Sequence, residues 1–268
     1  MSQNSLYSDE ATLYYALSQD RDFHAELRAL GIGRDTTKGQ RLLELFAGPA
    51  YHSVALRKLG WQGQLVAVDS SQHMQALAIQ HGFPSDQSYL VADACEVFQS
   101  LPAQTEFSNV LALRWSLGLV PPEKAEHVVR GVCERLKQGG QAFFELHRVD
   151  LIAGNLADLS IRTRTTTVGD AQVTCVWPSG ELSWAVGEWA VTMPILLRRE
   201  SPAGATEVTT TSHEWIYVRR DFQSWTKDLP IVVEEVHPSA VRTKIVALRS
   251  YSPKGQTSQV KVSRPAYY

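Results

Sequence analysis

Short apolar runs alternate with segments of helical spacing through the first 150 residues of the chain. Residues 11–30 predict one or two amphipathic helices, and Gly31 ends that pattern. Apolar runs of strand length follow at 42–46, 65–69, 88–92, 109–114 and 141–147, and helix-like segments lie between them at 50–59, 72–81, 94–100 and 123–137. This alternation predicts an α/β fold with a mostly parallel sheet and helices on both of its faces.

The pattern changes near residue 150, where short strand-like runs replace the helical period. These runs predict an antiparallel β insertion after the fifth strand. Five of the seven tryptophans lie there or just beyond it, Trp215 among them, either as the core of this layer or as an aromatic wall over a ligand. A short helix near 220–226 and the runs IVVEEV and RTKIVALRS then predict two antiparallel strands that complete a seven-stranded sheet.

The same changes in pattern divide the chain into four segments. We expect N-terminal helices and a ligand-binding core over 1–149, the β insertion over 150–219, the last helix and strands of the core over 220–251, and a polar tail over 252–268.

Composition and charge narrow the kind of partner. The 268 residues have a formal net charge of -2, and the basic residues are scattered, so a nucleic-acid partner is disfavoured. The three cysteines are far apart, which favours reduced thiols in a cytoplasmic protein and predicts no metal site. No apolar run is long enough to span a membrane. We expect no membrane partner, and a monomer or a homodimer.

The run RLLELFAGPAYHS, residues 41–53, carries the first candidate chemistry. An apolar strand holding Glu44 leads into a turn of small residues, and a helix follows at once, so a ligand can lie against bare backbone and the positive end of the helix. Two later strands end on acids, Asp69 and Asp93. Because the carboxyl ends of neighbouring parallel strands share one crevice, the three acids are expected to meet there.

Each of these acids has two interpretations. Asp69 accepts hydrogen bonds from ribose hydroxyls and Asp93 from an adenine amino group, if the ligand is a nucleoside. The alternative is that each acid caps the helix that follows it. The loop lacks the glycine pattern of a pyrophosphate site, with Phe46 where the first glycine would stand, and Glu44 is unfavourable beside a dianion. A cationic adenosine ligand such as S-adenosyl-L-methionine fits better, and a missing Tyr-x-x-x-Lys pair also argues against an NAD(P)-dependent oxidoreductase.

These motifs resemble those of a known family, the class I S-adenosylmethionine-dependent methyltransferases. In ELFAGPAYHSVAL, Glu44, Gly48, His52 and Ser53 match the first motif of that family, and VDSSQHM, VADA and ERLKQGGQAFFEL resemble later ones. The resemblance implies a Rossmann-like fold and binding of S-adenosyl-L-methionine, with S-adenosyl-L-homocysteine as product. The cofactor-binding residues that it implies are Tyr15, Glu44, Phe46, Ala47, Gly48, His52, Asp69, Ser70, Met74, Asp93, Ala94, Leu113 and Arg114.

Within the superfamily, LYSDEATLYY and SLGL look like small-molecule N-methyltransferases that modify amino sugars, glycine-like amines and heterocyclic natural products. In these relatives an N-terminal helix with tyrosines closes over the methionine end of the cofactor. The residues expected to bind the acceptor are therefore Tyr7, Tyr14, Trp115, His147 and Trp215.

The expected reaction is direct in-line transfer of the methyl group to a small-molecule acceptor, most favourably a nitrogen. His147, at the end of the fifth strand, is the candidate general base, and a hydroxyl acceptor would depend on such a base. Two departures from the family, Ala50 in the first loop and Leu119 after S-L-G, keep open an accessory protein that binds the cofactor without transferring a methyl group.

Overall fold

A computed structural model describes residues 10–18, 21–33, 39–147, 163–185, 187–237 and 244–251. Its helices are α1 (Ala11–Leu17), α2 (Phe23–Ala29), α3 (Tyr51–Lys58), α4 (Gln72–Gln80), α5 (Val97–Ser100), α6 (Pro122–Arg135) and α7 (Arg219–Trp225), with a 3-10 turn at Ser116–Leu119. Within these ranges, every helix is too short or too polar to cross a bilayer.

The core sheet has seven strands in the order β3-β2-β1-β4-β5-β12-β11. Its strands are β1 (Arg41–Leu45), β2 (Gln64–Asp69), β3 (Ser88–Val91), β4 (Phe107–Ala112), β5 (Leu136–Leu146), β11 (Ile231–Val236) and β12 (Lys244–Ser250). The first five run parallel, whereas β12 is antiparallel to β5 and to β11. The predicted α/β fold and the predicted antiparallel pair at the end of the chain are confirmed.

Both faces of this sheet are buried, which is why its strands read as continuous apolar runs. In β1, Leu43 and Leu45 belong to the core on one face, and Leu42 belongs to the core on the other face. Trp61, which follows α3, is fully buried in the second core. Within the described part of the chain, both faces of the sheet are therefore covered.

The boundary between α6 and β5 differs from the prediction. The helical pattern extended to residue 137, but α6 ends at Arg135 and β5 begins at Leu136. Gly139 has φ of 74°, and a Cβ on Gly140 would lie 2.9 Å from the Phe107 carbonyl oxygen. The two glycines let the chain turn and approach β4 closely, so they belong to the strand and do not cap the helix.

A second, antiparallel sheet, here called the roof, has the order β10-β9-β7-β6, and β8 pairs with β9. Its strands are β6 (Thr163–Val168), β7 (Ala171–Val176), β8 (Ser183–Ala185), β9 (Ala190–Ser201) and β10 (Gly204–Trp215). Leu17 of α1 packs in one cluster with Val173 and Cys175 of the roof. The predicted β insertion is confirmed, but the proposed segment boundary at 149–150 lies outside the described residues.

Candidate functional site

The loop between β1 and α3 has the backbone geometry of a glycine loop although it contains one glycine. Phe46, Gly48 and Ala50 have φ of 52°, 51° and 55°, in the left-handed region. A residue other than glycine costs about 1–3 kcal/mol there, so its surroundings must hold it in place. The Gly48 N–H donates to Oδ2 of Asp69 at 2.8 Å, which ties the loop to the end of β2.

Glu44 lies beneath this loop and is only 4% exposed. One carboxylate oxygen accepts from the Ser53 N–H at 2.9 Å and from Ser53 Oγ at 2.6 Å. The other accepts from the His52 N–H at 3.3 Å and lies 3.0 Å from His52 Nδ1. Glu44 and His52 therefore secure the first turn of α3 from inside the protein, and the structure gives them a supporting position below the predicted cofactor site.

The same histidine begins a buried network that reaches the N-terminal helices. His52 Nε2 lies 3.0 Å from Oε2 of Glu26, and Nε of Arg21 donates to Oε1 of Glu26 at 2.5 Å. Nη2 of Arg21 lies 3.1 Å from Oε2 of Glu145, and that oxygen accepts from the Arg114 N–H at 2.5 Å. Charged side chains thus join α2 to the ends of β4 and β5.

Burial disfavours the charged forms of the side chains in this network, but the hydrogen bonds and ion pairs among them together have the larger effect on their pKa values. Burial lowers the pKa of His52, yet the hydrogen bonds to Glu26 and Glu44 raise it above its ordinary value. Burial raises the pKa of Glu26, but His52 and Arg21 hold it below its ordinary value. For Arg21 too, the carboxylates of Glu145 and Glu26 outweigh burial and raise the pKa. The network therefore favours a protonated His52.

A cavity of about 480 Å³, here called the cleft, lies between the carboxyl ends of the core strands and the roof. Its floor is built by the loop after β1 and by the residues that follow β2, β3 and β4. Ile195 of β9 and residues 210–212 of β10 form the opposite wall. The roof therefore covers the end of the sheet where sequence patterns placed the acids.

Asp69 lies in this lining and also organises it. In addition to the Gly48 N–H, its carboxylate accepts from the Ser71 N–H at 2.9 Å, and burial raises its pKa. Ser71, whose Oγ accepts from the Met74 N–H at 3.3 Å, is the residue that caps α4. The cap interpretation of Asp69 is therefore wrong, and Asp69 lines the cleft.

Asp93 lies in the lining at the end of the next strand. Its Oδ1 accepts from the Cys95 N–H at 2.9 Å, and Nζ of Lys124 lies 3.6 Å from Oδ2. Burial raises the pKa of this carboxyl group, but Cys95 and Lys124 lower it below its ordinary value. Glu96 directly precedes α5 but makes no side-chain cap bond, whereas the Asp93 carbonyl oxygen accepts from the Val97 N–H at 3.0 Å, so Asp93 caps this turn as well as lining the cleft. An ionised acceptor at this point suits an amino donor such as that of adenine.

Arg114 enters the cleft from the end of β4. Arg114 and Trp115 have φ of 61° and 58°, so two successive side chains leave the strand from left-handed backbone. The Arg114 guanidinium carbon lies 5.5 Å from the centre of the Tyr14 ring and 5.4 Å from that of Tyr51, within the range of cation–π contacts. Its Nη1 is buried and has no hydrogen-bond partner among the described residues.

His147 lies behind the turn at Ser116–Leu119. Its ring stacks on Trp115 at 5.4 Å between centroids, and its Nε2 pairs with Oε2 of Glu214 in the roof. A Cβ on Gly118 would lie 3.2 Å from the His147 ring. The imidazole is thus turned toward Glu214, and His147 does not line the cleft as a direct base would.

The structure brings eight of the predicted site residues into the lining of the cleft: Tyr14, Phe46, Gly48, Asp69, Ser70, Asp93, Ala94 and Arg114. The others that it describes lie behind the lining or beside it: Tyr15, Glu44, Ala47, His52, Met74, Leu113, Trp115, His147 and Trp215. Tyr15 stacks on His81 at 3.8 Å and lines a separate surface pocket. Tyr7 lies outside the described residues.

Sequence reasoning treated the β insertion as an accessory or lid region with Trp215 as a candidate ligand contact, but it did not identify the residues of the roof and of α4 that line the cleft. These residues are Ser71, Gln72, His73, Ile195, Thr210, Thr211 and Ser212. In α4, the capping serine was a signal, because residues at the start of a helix after β2 face the same crevice as Asp69. In β10, an unbroken series of polar residues does not show which of its two faces meets a ligand.

Comparison of the sequence with models of known families and with curated proteins finds no match. Solved structures do resemble the fold. DesVI of Streptomyces venezuelae has a TM-score of 0.69 at 16% identity, over 91% of this chain and 98% of DesVI. CalS10 of Micromonospora echinaspora, an amino pentose methyltransferase of calicheamicin biosynthesis solved with S-adenosylmethionine bound, has a TM-score of 0.65 at 13% identity, over 93% of this chain and 99% of CalS10.

The CcbJ methyltransferase of Streptomyces caelestis has a TM-score of 0.66 at 14% identity, over 92% of this chain and 98% of CcbJ. The likeness in each case extends over the roof as well as the core sheet, because it covers nine tenths of both chains. The chain therefore has the Rossmann-like fold of the class I S-adenosylmethionine-dependent methyltransferases, as the sequence resemblance predicted.

Proposed function

We propose that the protein is an S-adenosylmethionine-dependent methyltransferase whose acceptor is a nitrogen of a small molecule. One observation carries this proposal: Asp69 and Asp93, at the ends of consecutive strands, line a single covered cleft together with the loop around Gly48. The similar fold of CalS10, solved with S-adenosylmethionine bound, supports the choice of cofactor.

The residues present suit this cofactor. The cavity of about 480 Å³ lies within the range of about 300–1,000 Å³ that is typical of small-molecule sites. Asp69 offers acceptors for ribose hydroxyls, and Asp93 offers them for an amino group at the end of β3. Phe46, Val68 and Ala94 supply apolar surface between the two acids.

When bound, the cofactor supplies a methyl group that is already activated by the sulfonium charge. The protein then has to align the acceptor and exclude water. The roof limits the access of water on one side, because Ile195 and residues 210–212 lie opposite the strand ends. Tyr14 and Arg114 limit the cleft on the side of the N-terminal helices.

The position of His147 supports nitrogen over oxygen as the acceptor atom. A hydroxyl needs a positioned base during the transfer itself, whereas an amine has a nucleophilic lone pair as soon as its ammonium proton has been removed. Because His147 pairs with Glu214 behind the turn, it does not approach an acceptor directly. O-methylation with His147 as direct base is therefore not the function that we propose.

Two measurements test the proposal. Calorimetric titration with S-adenosyl-L-homocysteine and with NAD is expected to show binding of the first and none of the second. Incubation with radiolabelled S-adenosylmethionine and a small-molecule extract of the source organism is expected to label an amine. Asp69→Asn is expected to weaken binding of S-adenosyl-L-homocysteine by about 10- to 100-fold, because it removes charge-assisted acceptors. Binding without any methyl transfer would instead indicate an accessory protein.

A further inference from the structure

A chain of buried side chains leads from the cleft into the interface between the roof and the core sheet. Ser212 lines the cleft, is 5% exposed, and donates from Oγ to Oε1 of Glu214 at 2.6 Å. Glu214 is 4% exposed, and its Oε2 pairs with Nε2 of His147 at the end of β5. The cleft is thus connected through one hydroxyl to a buried carboxylate–imidazole pair.

Such a pair needs an explanation other than stability. Taking a carboxylate out of water carries a large desolvation penalty, and apolar residues of similar volume often serve a fold as well or better. Val191, the residue opposite Glu214 on β9, is apolar, as the neighbouring Met193 and Ile216 are. An acid at position 214 therefore lowers the stability of the fold relative to an apolar residue, and we look for a functional role that explains it.

Among the residues that the structure describes, few other titratable groups face this pair. On β5, Glu145 is engaged by Arg21 and by the Arg114 N–H. On β10, His213 projects from the opposite face of the strand, as successive strand residues do, and its Nδ1 lies 2.8 Å from Oγ1 of Thr192. On the side of β4, the contact with His147 is the neutral ring of Trp115. Ser212 therefore connects the Glu214–His147 pair to the cleft.

We propose that Ser212, Glu214 and His147 form a relay that takes the proton from an amine acceptor. This inference rests on the proposed function. Ser212 is the catalytic residue, because it lines the cleft; Glu214 receives the proton through Ser212; and His147 is a positioning residue that holds the Glu214 carboxylate from behind. The predicted role of His147 as a base in direct contact with the acceptor is replaced by this indirect role.

The proton balance of the step is simple. The N–H bond of the ammonium breaks, its electron pair stays on nitrogen as the lone pair for methyl transfer, and the proton binds Oγ of Ser212. The original hydroxyl proton of Ser212 moves to Oε1 of Glu214, so the hydroxyl is regenerated and the carboxylate becomes neutral. No oxidant, reductant or further reactant is required.

The same geometry makes the site selective for a hydrogen-bond donor. Because the hydroxyl proton of Ser212 is committed to Glu214, its oxygen presents lone pairs to the cleft. An ammonium or amine N–H is the complement of such an acceptor, whereas a carbonyl or an ether oxygen would be repelled. The relay thus both recognises an amine and prepares it for transfer.

The test compares Glu214→Gln and Ser212→Ala with the wild type at different pH. Glu207→Gln, an exposed acid on the same strand, is the matched control. Label transfer from radiolabelled S-adenosylmethionine to the small-molecule extract is measured from pH 6 to 10. Near pH 7 both relay variants are expected to be slower by about 100-fold, the lower range for acid–base catalysis. Near pH 10 an alkyl amine arrives largely neutral, so their rates are expected to come within about fivefold of the wild type.

Several outcomes would overturn the relay. An equal loss of rate at every pH would mean that Glu214 and Ser212 only hold the roof in place. Full activity of either variant near pH 7 would remove that residue from the mechanism. Titration with S-adenosyl-L-homocysteine separates failure of the proposed function from failure of the relay. A wild type that does not bind this ligand refutes the proposed function. A wild type that binds it but transfers no methyl group refutes both methyl transfer and the relay. If Glu214→Gln does not fold, Ser212→Ala gives the same pH comparison with a smaller change.

Discussion

Glu44→Gln distinguishes a structural acid from one that contacts the ligand. The carboxylate receives two backbone N–H groups and the Oγ of Ser53, and it faces Nδ1 of His52, all in the buried layer below the loop. An amide of the same shape replaces one of the two acceptor oxygens with an NH₂ group. If the NH₂ group faces Ser53, the hydroxyl can rotate to accept but the Ser53 N–H meets a donor; if it faces His52, the backbone N–H and a protonated Nδ1 both meet a donor.

The expected loss of stability follows from these contacts. Each buried donor left without an acceptor costs about 1–3 kcal/mol, and removing one partner of a buried ion pair costs about 3–5 kcal/mol. We therefore expect the free energy of unfolding to fall by about 3–5 kcal/mol. For a protein of this size that corresponds to a Tm lower by about 6–20 °C. Ser53→Ala, which removes the 2.6 Å contact alone, is expected to cost about 1 kcal/mol.

Two assays decide the matter: urea unfolding, and calorimetry with S-adenosyl-L-homocysteine well below the Tm. Because Glu44 does not line the cleft, the affinity of the folded Glu44→Gln protein is expected to stay within about threefold of the wild type, a change of less than about 1 kcal/mol. An unchanged Tm together with a large loss of affinity would refute this reasoning and return Glu44 to direct contact with the cofactor.

Three further expectations follow from the described contacts. The raised pKa of His52 means that its contribution to stability is complete below about pH 6.5 and is lost as the pH rises through the folded-state pKa. Urea unfolding of the wild type at increasing pH should show this fall in the free energy of unfolding. A His52→Gln protein with the same fall would contradict the assignment. Arg114→Met is expected to weaken the binding of S-adenosyl-L-homocysteine about tenfold, because Nη1 of Arg114 is a donor available to a carboxylate. The affinity for methylthioadenosine, which lacks the amino-acid part, is expected to stay unchanged. Equal losses of affinity for the two ligands in calorimetry would exclude that contact. Gly118→Ala is expected to cost about 1–3 kcal/mol, since its Cβ would lie 3.0 Å from the Trp215 carbonyl oxygen, and an unchanged Tm would show that the roof yields at this point.

The core sheet could be predicted because its strands are buried on both faces and its helices are amphipathic. The runs that end on Asp69 and Asp93 indicate both the strands and the edge of the sheet at which the cleft lies. The start of β5 could not be predicted, because Leu136 continues the helical spacing of α6. There the close approach of Gly140 to Phe107, a tertiary contact, decides for the strand.

Much of the candidate site depends on contacts between distant parts of the chain. Glu214 meets His147 across the interface of two sheets, and Arg21 meets Glu145, which lies 124 residues later in the chain. Neither pair has a spacing that identifies it. The loop around Gly48 was easier to recognise, because small residues before a helix have a local meaning. What the local pattern did not show is that Glu44 turns inward.

The roof interrupts the core sheet in sequence, and this has a consequence for folding. Lys244 of β12 pairs directly with Leu146 of β5, so the sheet closes only after a loop of roughly 100 residues has brought its ends together. Within that loop, β9 and β10 form a long hairpin with a two-residue turn, and such local pairing is fast. We therefore expect the hairpin to acquire protection before β12 does in pulsed hydrogen exchange during refolding, so that the part of the chain that covers the cleft also shortens the search by which the last two strands find the sheet.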